Sequence, residues 1–482
     1  MKQRALPILA ISLLLASCGQ NNVTSSTDSI SEAESTASFS TVQPASSEEE
    51  IVSSEAEVSS EEQPIDMAAI DKELYACFRY LSDTTNLSET SKGYGLVQDR
   101  YTDKSVCSIA ATGFALAAYP VFVEQGYITK EEGEKRASLT LDTVLRIQAD
   151  DTTSYEGCIA HFVNRRNGSR NSESEISTID TAILISGAIV AGEYFEGAVL
   201  EKAIQAWSNV DYNAFLTSKN GKTYVSMGIK NLETKAQLSP WDYYAEQLMI
   251  YILGAGNPVE EHRLSSSLYK SITRAKGEYA GITHIYSWFG SLFTYQYSQA
   301  FFNFKLYDDF KGNNFYTNSV LASQTNYAFC KSLASSYASF DSPGWGLSAC
   351  DGPLGYTGEL GAAPRGFDGY NSTNYLMIQG TITPCAAIGS MPFTPRESYD
   401  ALVYYQSLPG LNDDVYGLRD SYNLDFNGAA WYDADFIGID KGIEVLQLYN
   451  YKNPDFVCSL PMDNGYVKAG FLNNEFVEVA HE

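Results

Sequence analysis

The chain has 482 residues, 44% of them hydrophobic and 13% aromatic, and a formal charge of −27 at pH 7. That much apolar material can fill a large core. So strong an excess of acid excludes nucleic acid as a partner and disfavours anionic ligands.

Taken in chain order, the first feature is a charged start (Lys2, Arg4) followed by an apolar run from Ala5 to Ala16. The run is too short to span a bilayer comfortably and has the form of a secretory signal over residues 1–17. It ends in Leu15-Ala16-Ser17-Cys18, which resembles a bacterial lipobox, so Cys18 is expected to carry lipid and to become the mature N-terminus. Residues 18–65 hold no Lys or Arg, one aromatic (Phe39), and glutamates such as Glu48, Glu49 and Glu50 among serines. Such a stretch has too little apolar surface to offset chain entropy and reads as a disordered, self-repelling tether. The expectation is an exported chain, anchored by lipid to the bacterial membrane on its extracellular side, with a monomeric domain at 66–482.

From Asp66 onward, helix starts recur. Thr129-Lys130-Glu131-Glu132 and Ser177-Thr178-Ile179-Asp180 form capping boxes. Ser239-Pro240-Trp241-Asp242, Asn257-Pro258-Val259-Glu260 and Thr394-Pro395-Arg396-Glu397 place proline at a first helical position. Buried-looking segments (105–123, 179–194) precede more amphipathic ones (129–145, 200–210), the pattern of inner and outer helices in a ring of α-hairpins. Residues 222–227 are strand-like and are expected to form a hairpin on a loop. Long Gly- and Tyr-rich stretches at 342–380 and 411–442 are loops of the length that carries function. The expected fold is all-α, an (α/α)6 toroid of helical hairpins with long loops and small β-hairpins.

After Cys18, seven cysteines remain with no CxxC, an odd number best read as buried free thiols, with one or two disulfides as the alternative. The four histidines form no metal-ligand spacing, and no GxSxG, Walker or strand-turn-helix GxGxxG element is present. No catalytic metal and no cofactor is therefore expected, with a structural calcium on an acidic loop as the open alternative. What is abundant is carboxylates beside aromatics, the mixture that glycoside hydrolysis requires: a protonated acid, an ionised base or nucleophile, and ring faces for stacking. Asp242 and Glu246 are placed four apart on one expected helix face, beside Trp241 and Tyr244. Asp180 is either a capping acid or a site residue, and Asp351 either a turn former or a site residue. Asp433, Asp435 and Asp440 form a denser cluster near Trp431.

Ser108-Ile109-Ala110-Ala111-Thr112-Gly113-Phe114, Ser177 to Ala182, Trp241-Asp242-Tyr243-Tyr244-Ala245-Glu246, Trp345-Gly346-Leu347 with Asp351-Gly352-Pro353, Gly380-Thr381-Ile382-Thr383-Pro384 and Gly438-Ile439-Asp440-Lys441-Gly442 occur in the order found in glycoamylase-like domains. From Phe78 to Tyr451 the chain resembles that group, and in particular the family 144 endo-β-1,2-glucanases. The resemblance implies a toroid with a central cleft, action on β-1,2-glucan or a related β-glucan, and inversion. It further implies Glu246 as general acid, Asp440 or Asp180 as base with Asp351 behind them, and Trp241, Asp242, Tyr244, Trp288, Gln296, Trp345 and Trp431 in contact with sugar. Where relatives carry histidines in an L-F-T-H-Q-F-S-H pattern, this chain has Tyr295 and Gln299. Two other readings stay open: a catalytically silent glycan-binding lipoprotein on the same toroid, and a retaining glycosidase or transglycosylase of a related toroid family.

Overall fold

In the computed structural model, residues 64–366 and 379–479 are described. Cys18, the signal segment, nearly all of the tether and His481 lie outside the described residues. The first helix, α1 (Met67–Thr84), is capped by Asp66, whose carboxylate accepts the Ala68 N–H at 2.9 Å. It is followed by α2 (Ile109–Glu124), α3 (Lys130–Gln148), α4 (Thr178–Phe195), α5 (Gly197–Ser208), α6 (Leu248–Ala255) and α7 (Ser266–Ser271). Then come α8 (Phe293–Phe301), α9 (Phe315–Ser332), α10 (Pro384–Ile388), α11 (Pro395–Gln406) and α12 (Gly438–Lys452).

Alternate members of this series are buried almost all round: α2, α4, α6, α8, α10 and α12. Those between them bury one face only. The last inner helix, α12, packs against both α1 and α2, which closes the series into a ring. This is the expected toroid. The inner helices α2, α4 and α6 lack an amphipathic stripe because no side of them meets water. Helix α4 is long and apolar enough to cross a membrane by composition, yet it is buried in protein.

Two glycines set how close α2 and α4 come. A Cβ on Gly187 would lie 1.9 Å from the Gly113 carbonyl oxygen, and one on Gly113 would lie 2.6 Å from that of Ile183. The same level of the ring holds Phe114 of α2, in edge contact with Tyr297 of α8 and against Gly442 of α12. Gly113, Phe114, Tyr297 and Gly442 each lie about one turn past their helix starts, so α2, α8 and α12 begin at one end of the ring.

Thr129 and Ser177 cap α3 and α4 as expected, with their hydroxyls accepting the Glu132 and Asp180 N–H groups. Pro395 opens α11. Two other expected starts are not helices. Pro240 lies in a β-bridge with Ser226, and the Trp241 N–H goes to the Val225 carbonyl at 2.8 Å, so the chain is extended there and only turns at Glu246–Gln247 into α6, which begins at Leu248. At 257–262 only a 3₁₀ turn, Glu260–His262, forms, although the Asn257 side chain accepts the Val259 N–H at 2.8 Å as a helix cap would. The 222–227 stretch does supply a strand, Lys222–Val225, paired with Leu216–Lys219. The seven cysteines from Cys77 to Cys458 are all free and buried, as expected.

The glycine contact yields a test of the packing. Gly187→Ala should destabilise the domain by about 2 kcal/mol or more, since the clash is with backbone and no rotamer relieves it. A urea midpoint no lower than wild type would show that α2 and α4 do not meet at this point.

Candidate active site

The loops at the starting ends of the inner helices are tied to one another by backbone bonds, and these place the acids. A three-stranded sheet joins Val97–Gln98, Val106–Ser108 and Phe162–Asn164. It sets Asp99 and Arg100, just after the first strand, near His161, just before the third. The Asp99 carbonyl accepts the Gly438 N–H at 2.7 Å, and Arg100 bridges Ile437, so this segment abuts the start of α12 and Asp440. On the other side, Thr383 at the start of α10 donates its hydroxyl to the Asp420 carbonyl at 2.7 Å, and the Asp420 N–H reaches the Asp435 carbonyl.

One group of acids surrounds Glu246. It sits in the turn immediately before α6, buried, with its carbonyl accepting the Ser298 hydroxyl of α8 at 2.6 Å. Burial, aided by the nearby Asp180 charge, pushes its carboxyl up to about 7. Asp180, in the first turn of α4, lies 3.5 Å from Nε2 of His161, whose Nδ1 lies 2.9 Å from Glu175. Burial alone would lower the imidazolium. Asp180, Glu175 and Asp99 together outweigh it and raise His161 to about 9.

The second group surrounds Asp440. Asp440 is in the first turn of α12, where the helix start favours negative charge. It is 8% exposed, and its Oδ2 has no donor among the described residues. Burial pushes it up to about 6, opposed by a hydrogen bond with Asp420 and by the Cys385 thiol and Lys441. Asp351, on the hairpin of Cys350–Gly352 and Gly355–Thr357, accepts from Arg100 at 2.8 Å and gives its own N–H to Asp420 at 2.7 Å. Burial, with the Asp351 charge next, raises Asp433 to about 6. Asp435 accepts from the Thr102 N–H and hydroxyl. The two groups face each other across Tyr297 of α8, whose buried hydroxyl feels both Asp440 and Glu246.

Among the described residues two acidic groupings have cation-like spacing, Glu73–Cys77–Glu444 and Asp351–Asp420–Asp433. In the first the positive charge is Lys441 Nζ, 3.0 Å from Glu73 and 2.9 Å from Glu444. In the second, Arg100 supplies it to Asp351.

The structure thus brings Glu246, Asp180, Asp351 and Asp440 to one end of the ring. It sends other expected residues elsewhere. Asp242 shares no helix face with Glu246, since no helix forms there, and it pairs with Lys219 at 2.6 Å. Tyr244 stacks on Phe315 inside the core, Gln296 spends its amide N–H groups on the Ala386 carbonyl and Ser390, and Trp345 is fully buried with its indole N–H on the Glu397 carbonyl. None of these three offers a face to a sugar. Trp241 is buried and donates to Thr178 at 3.3 Å, which ties the Glu246 segment to the start of α4. Trp288 is 37% exposed beside Tyr243, and Trp431 lies half-buried in the strand Ala429–Tyr432, so both keep ring surface available. Tyr295 accepts the Ser287 N–H at 2.7 Å, and Gln299 is buried. Sequence reasoning missed Asp99, Arg100, His161 and Asp420. Only the Asp99-Arg100 pair and the Arg419-Asp420 pair carried a local charge signal, and nothing marked them as site residues.

A ring of helix pairs with carboxyls gathered where the inner helices begin defines a helical toroid, and residues 239–464 match the sequence model of the Glycoamylase family, described as "Putative glucoamylase". Among individual proteins, the chain is similar to an exo-β-1,2-glucooligosaccharide sophorohydrolase (non-reducing end) of Parabacteroides distasonis, 23% identical over 417 residues, covering 78% of this chain and 54% of that protein. The chain thus spans about half the length of this curated relative. Two solved structures share the fold. One is an endo-β-1,2-glucanase of Chitinophaga pinensis in complex with sophorotriose and glucose, with TM-score 0.71, 21% identity, and 85% of this chain and 98% of that one covered. The other is a "putative glucoamylase" of Bacteroides uniformis, with TM-score 0.72, 24% identity, and 87% and 99% covered.

The His161 environment gives a measurable consequence. Its pKa is raised on folding, so its interactions with Asp180 and Glu175 stabilise the fold fully below the unfolded value of about 6.5 and are lost as pH rises through about 9. The stability gap between wild type and His161→Gln, read from urea midpoints, should be widest near pH 6 and close above pH 9. A gap that does not vary with pH would show that His161 is neutral throughout.

Proposed function

We propose that the chain is a glycoside hydrolase acting on β-1,2-glucan or its sophoro-oligosaccharides, with Glu246 as general acid and Asp440 as general base. The observation that carries this reading is Glu246 itself: a buried carboxyl at the head of α6, pushed up to about 7 and paired with no cation among the described residues. It is thus largely protonated in mildly acidic solution and about half so near neutrality. Asp440, across Tyr297, sits where a helix start, Lys441 and Cys385 favour its charged form. Glu246 gives its proton to the glycosidic oxygen as the bond from that oxygen to the anomeric carbon breaks. Asp440 takes a proton from the water whose oxygen bonds that carbon from the opposite face. Trp288 and Trp431 supply ring surface for the sugars. The names of the Parabacteroides and Chitinophaga relatives support the β-1,2 linkage. The chain's first residues support export and lipid attachment at Cys18, with the domain held on the tether outside the cell as a monomer.

The first test is reducing-sugar release by residues 66–482 from linear β-1,2-glucan, with laminarin, cellulose derivatives and starch alongside. Release from β-1,2-glucan should fall by about 10²-fold or more in Glu246→Gln. Retained glucan binding without release by wild type would instead mark a glycan-capturing protein. Activity should also be bell-shaped in pH, falling below about 6 as Asp440 takes up a proton and above about 7 as Glu246 gives its proton up. An acid-side fall that survives unchanged in active Asp440→Asn would remove Asp440 from that role. NMR of the first-formed anomer distinguishes inversion from retention.

A further inference from the structure

Asp420 is the least expected member of the cluster. It stands between the strands Gly417–Leu418 and Tyr422–Phe426, 4% exposed, with its backbone fixed by Asp435 and Thr383. One carboxyl oxygen accepts the Asp351 N–H at 2.7 Å, and the side chain is also hydrogen-bonded to that of Asp440. Two carboxylates cannot hydrogen-bond to each other without a proton between them. The surroundings decide which one keeps it. Asp440 has the start of α12, the Lys441 ammonium and the Cys385 thiol on its side, all of which favour its anion. Asp420 faces Asp351 and Asp433, whose oxygens lie within 4.8 Å of its own and of each other, so a second negative charge there is opposed.

We propose that Asp420 is a positioning residue that stays protonated at neutral pH and donates its O–H to Asp440, so that Asp440 alone carries the charge of the pair. This rests on the reading of Asp440 as base and gives the reason it is ionised inside an acidic cluster. Burial and the Asp440 and Asp351 charges push Asp420 well above the carboxylate range, while its hydrogen bond lowers Asp440. The other groups around the pair are Cys350 and Tyr356 on the Asp351 hairpin, Tyr297 on α8 and Glu444 on α12. Each is pushed up by burial, and the two tyrosines and Cys350 feel Asp440 as a further negative charge. Of the neighbouring cations, Lys441 is held by Glu73 and Glu444 but its charge still lowers Asp440, whereas Arg100 is engaged with Asp351, Asp99 and Asp435.

The experiment compares wild type with Asp420→Asn, Asp420→Leu and Asp440→Asn. Asn keeps a donor of the same shape, so kcat should stay within about tenfold and the acid limb of the pH profile should hold its place. Leu removes the donor, so kcat should fall by about 10²-fold or more and the acid limb should move up by about one pH unit. A merely structural role would lower kcat without moving that limb. Urea midpoints identify a variant that fails to fold, and Asp420→Asn keeps the test valid if the leucine variant does. Independently of activity, infrared difference spectra at pH 8 should show a protonated-carboxyl band in wild type that is missing in Asp420→Asn. A band unchanged by that substitution overturns the proposal. So does an equimolar divalent cation that stays with wild type through dialysis and is lost from the variant. Full activity of Asp440→Asn would overturn the base reading alone, since the infrared band reports the proton directly.

Discussion

A single buried ammonium closes this ring. Lys441 Nζ lies between Glu73 of α1 and Glu444 of α12, all three essentially without solvent, and the Cys77 thiol reaches Glu444 at 3.2 Å. The first and last helices of the toroid are far apart in sequence, so nothing local holds them together. Two carboxylates sharing one cation in a dry interior are costly to assemble and still more costly to leave half-made. The arrangement therefore fixes the register of α12 against α1. Glu73 adds to this by accepting the Leu418 N–H, which fixes the loop leading to Asp420.

The same lysine adjoins Asp440 in sequence, and its charge lowers that carboxyl. The contact that closes the fold thus also biases the ionisation of the group assigned as base. The rest of the site follows the same economy. Acids stand at or near the starts of α4, α6 and α12, where unpaired N–H groups and the helix dipole favour negative charge. Backbone bonds between neighbouring loops set their spacing.

Much of this was legible in the sequence, for identifiable reasons. Helices α3, α4 and α11 announced themselves through Thr129, Ser177 and Pro395 because capping and proline chemistry are local. The inner and outer alternation was visible because burial on all sides leaves a continuous apolar run. The failures at Pro240 and Pro258 share one cause: proline suits a bridge or a turn as well as a first helical turn, and only tertiary pairing chooses between them. Of the site, Glu246, Asp180, Asp351 and Asp440 were found by their motifs. The aromatic candidates divided because sequence cannot tell a tyrosine stacked in the core, such as Tyr244, from one with a free face. Asp420 and Arg100 could not be read as site residues, since the meaning of Arg100 comes from Asp351 and Asp435, hundreds of positions away, and that of Asp420 from neighbours on other loops and helices.

Helix α4 has a consequence for how such a chain reaches its place. To an export pore, which meets the polypeptide before it has folded, Thr178–Phe195 is a segment of membrane-spanning length. What separates it from a halt signal is its small and hydroxylated residues, among them Thr181, Ser186, Gly187 and Gly192. The folded ring needs them for close helix contact, and the same residues keep the segment from partitioning into lipid. Packing and passage would then select for the same composition. For a chain exported as proposed above, enriching this helix in leucine, which looks harmless for a buried element, would stall the domain on its way out.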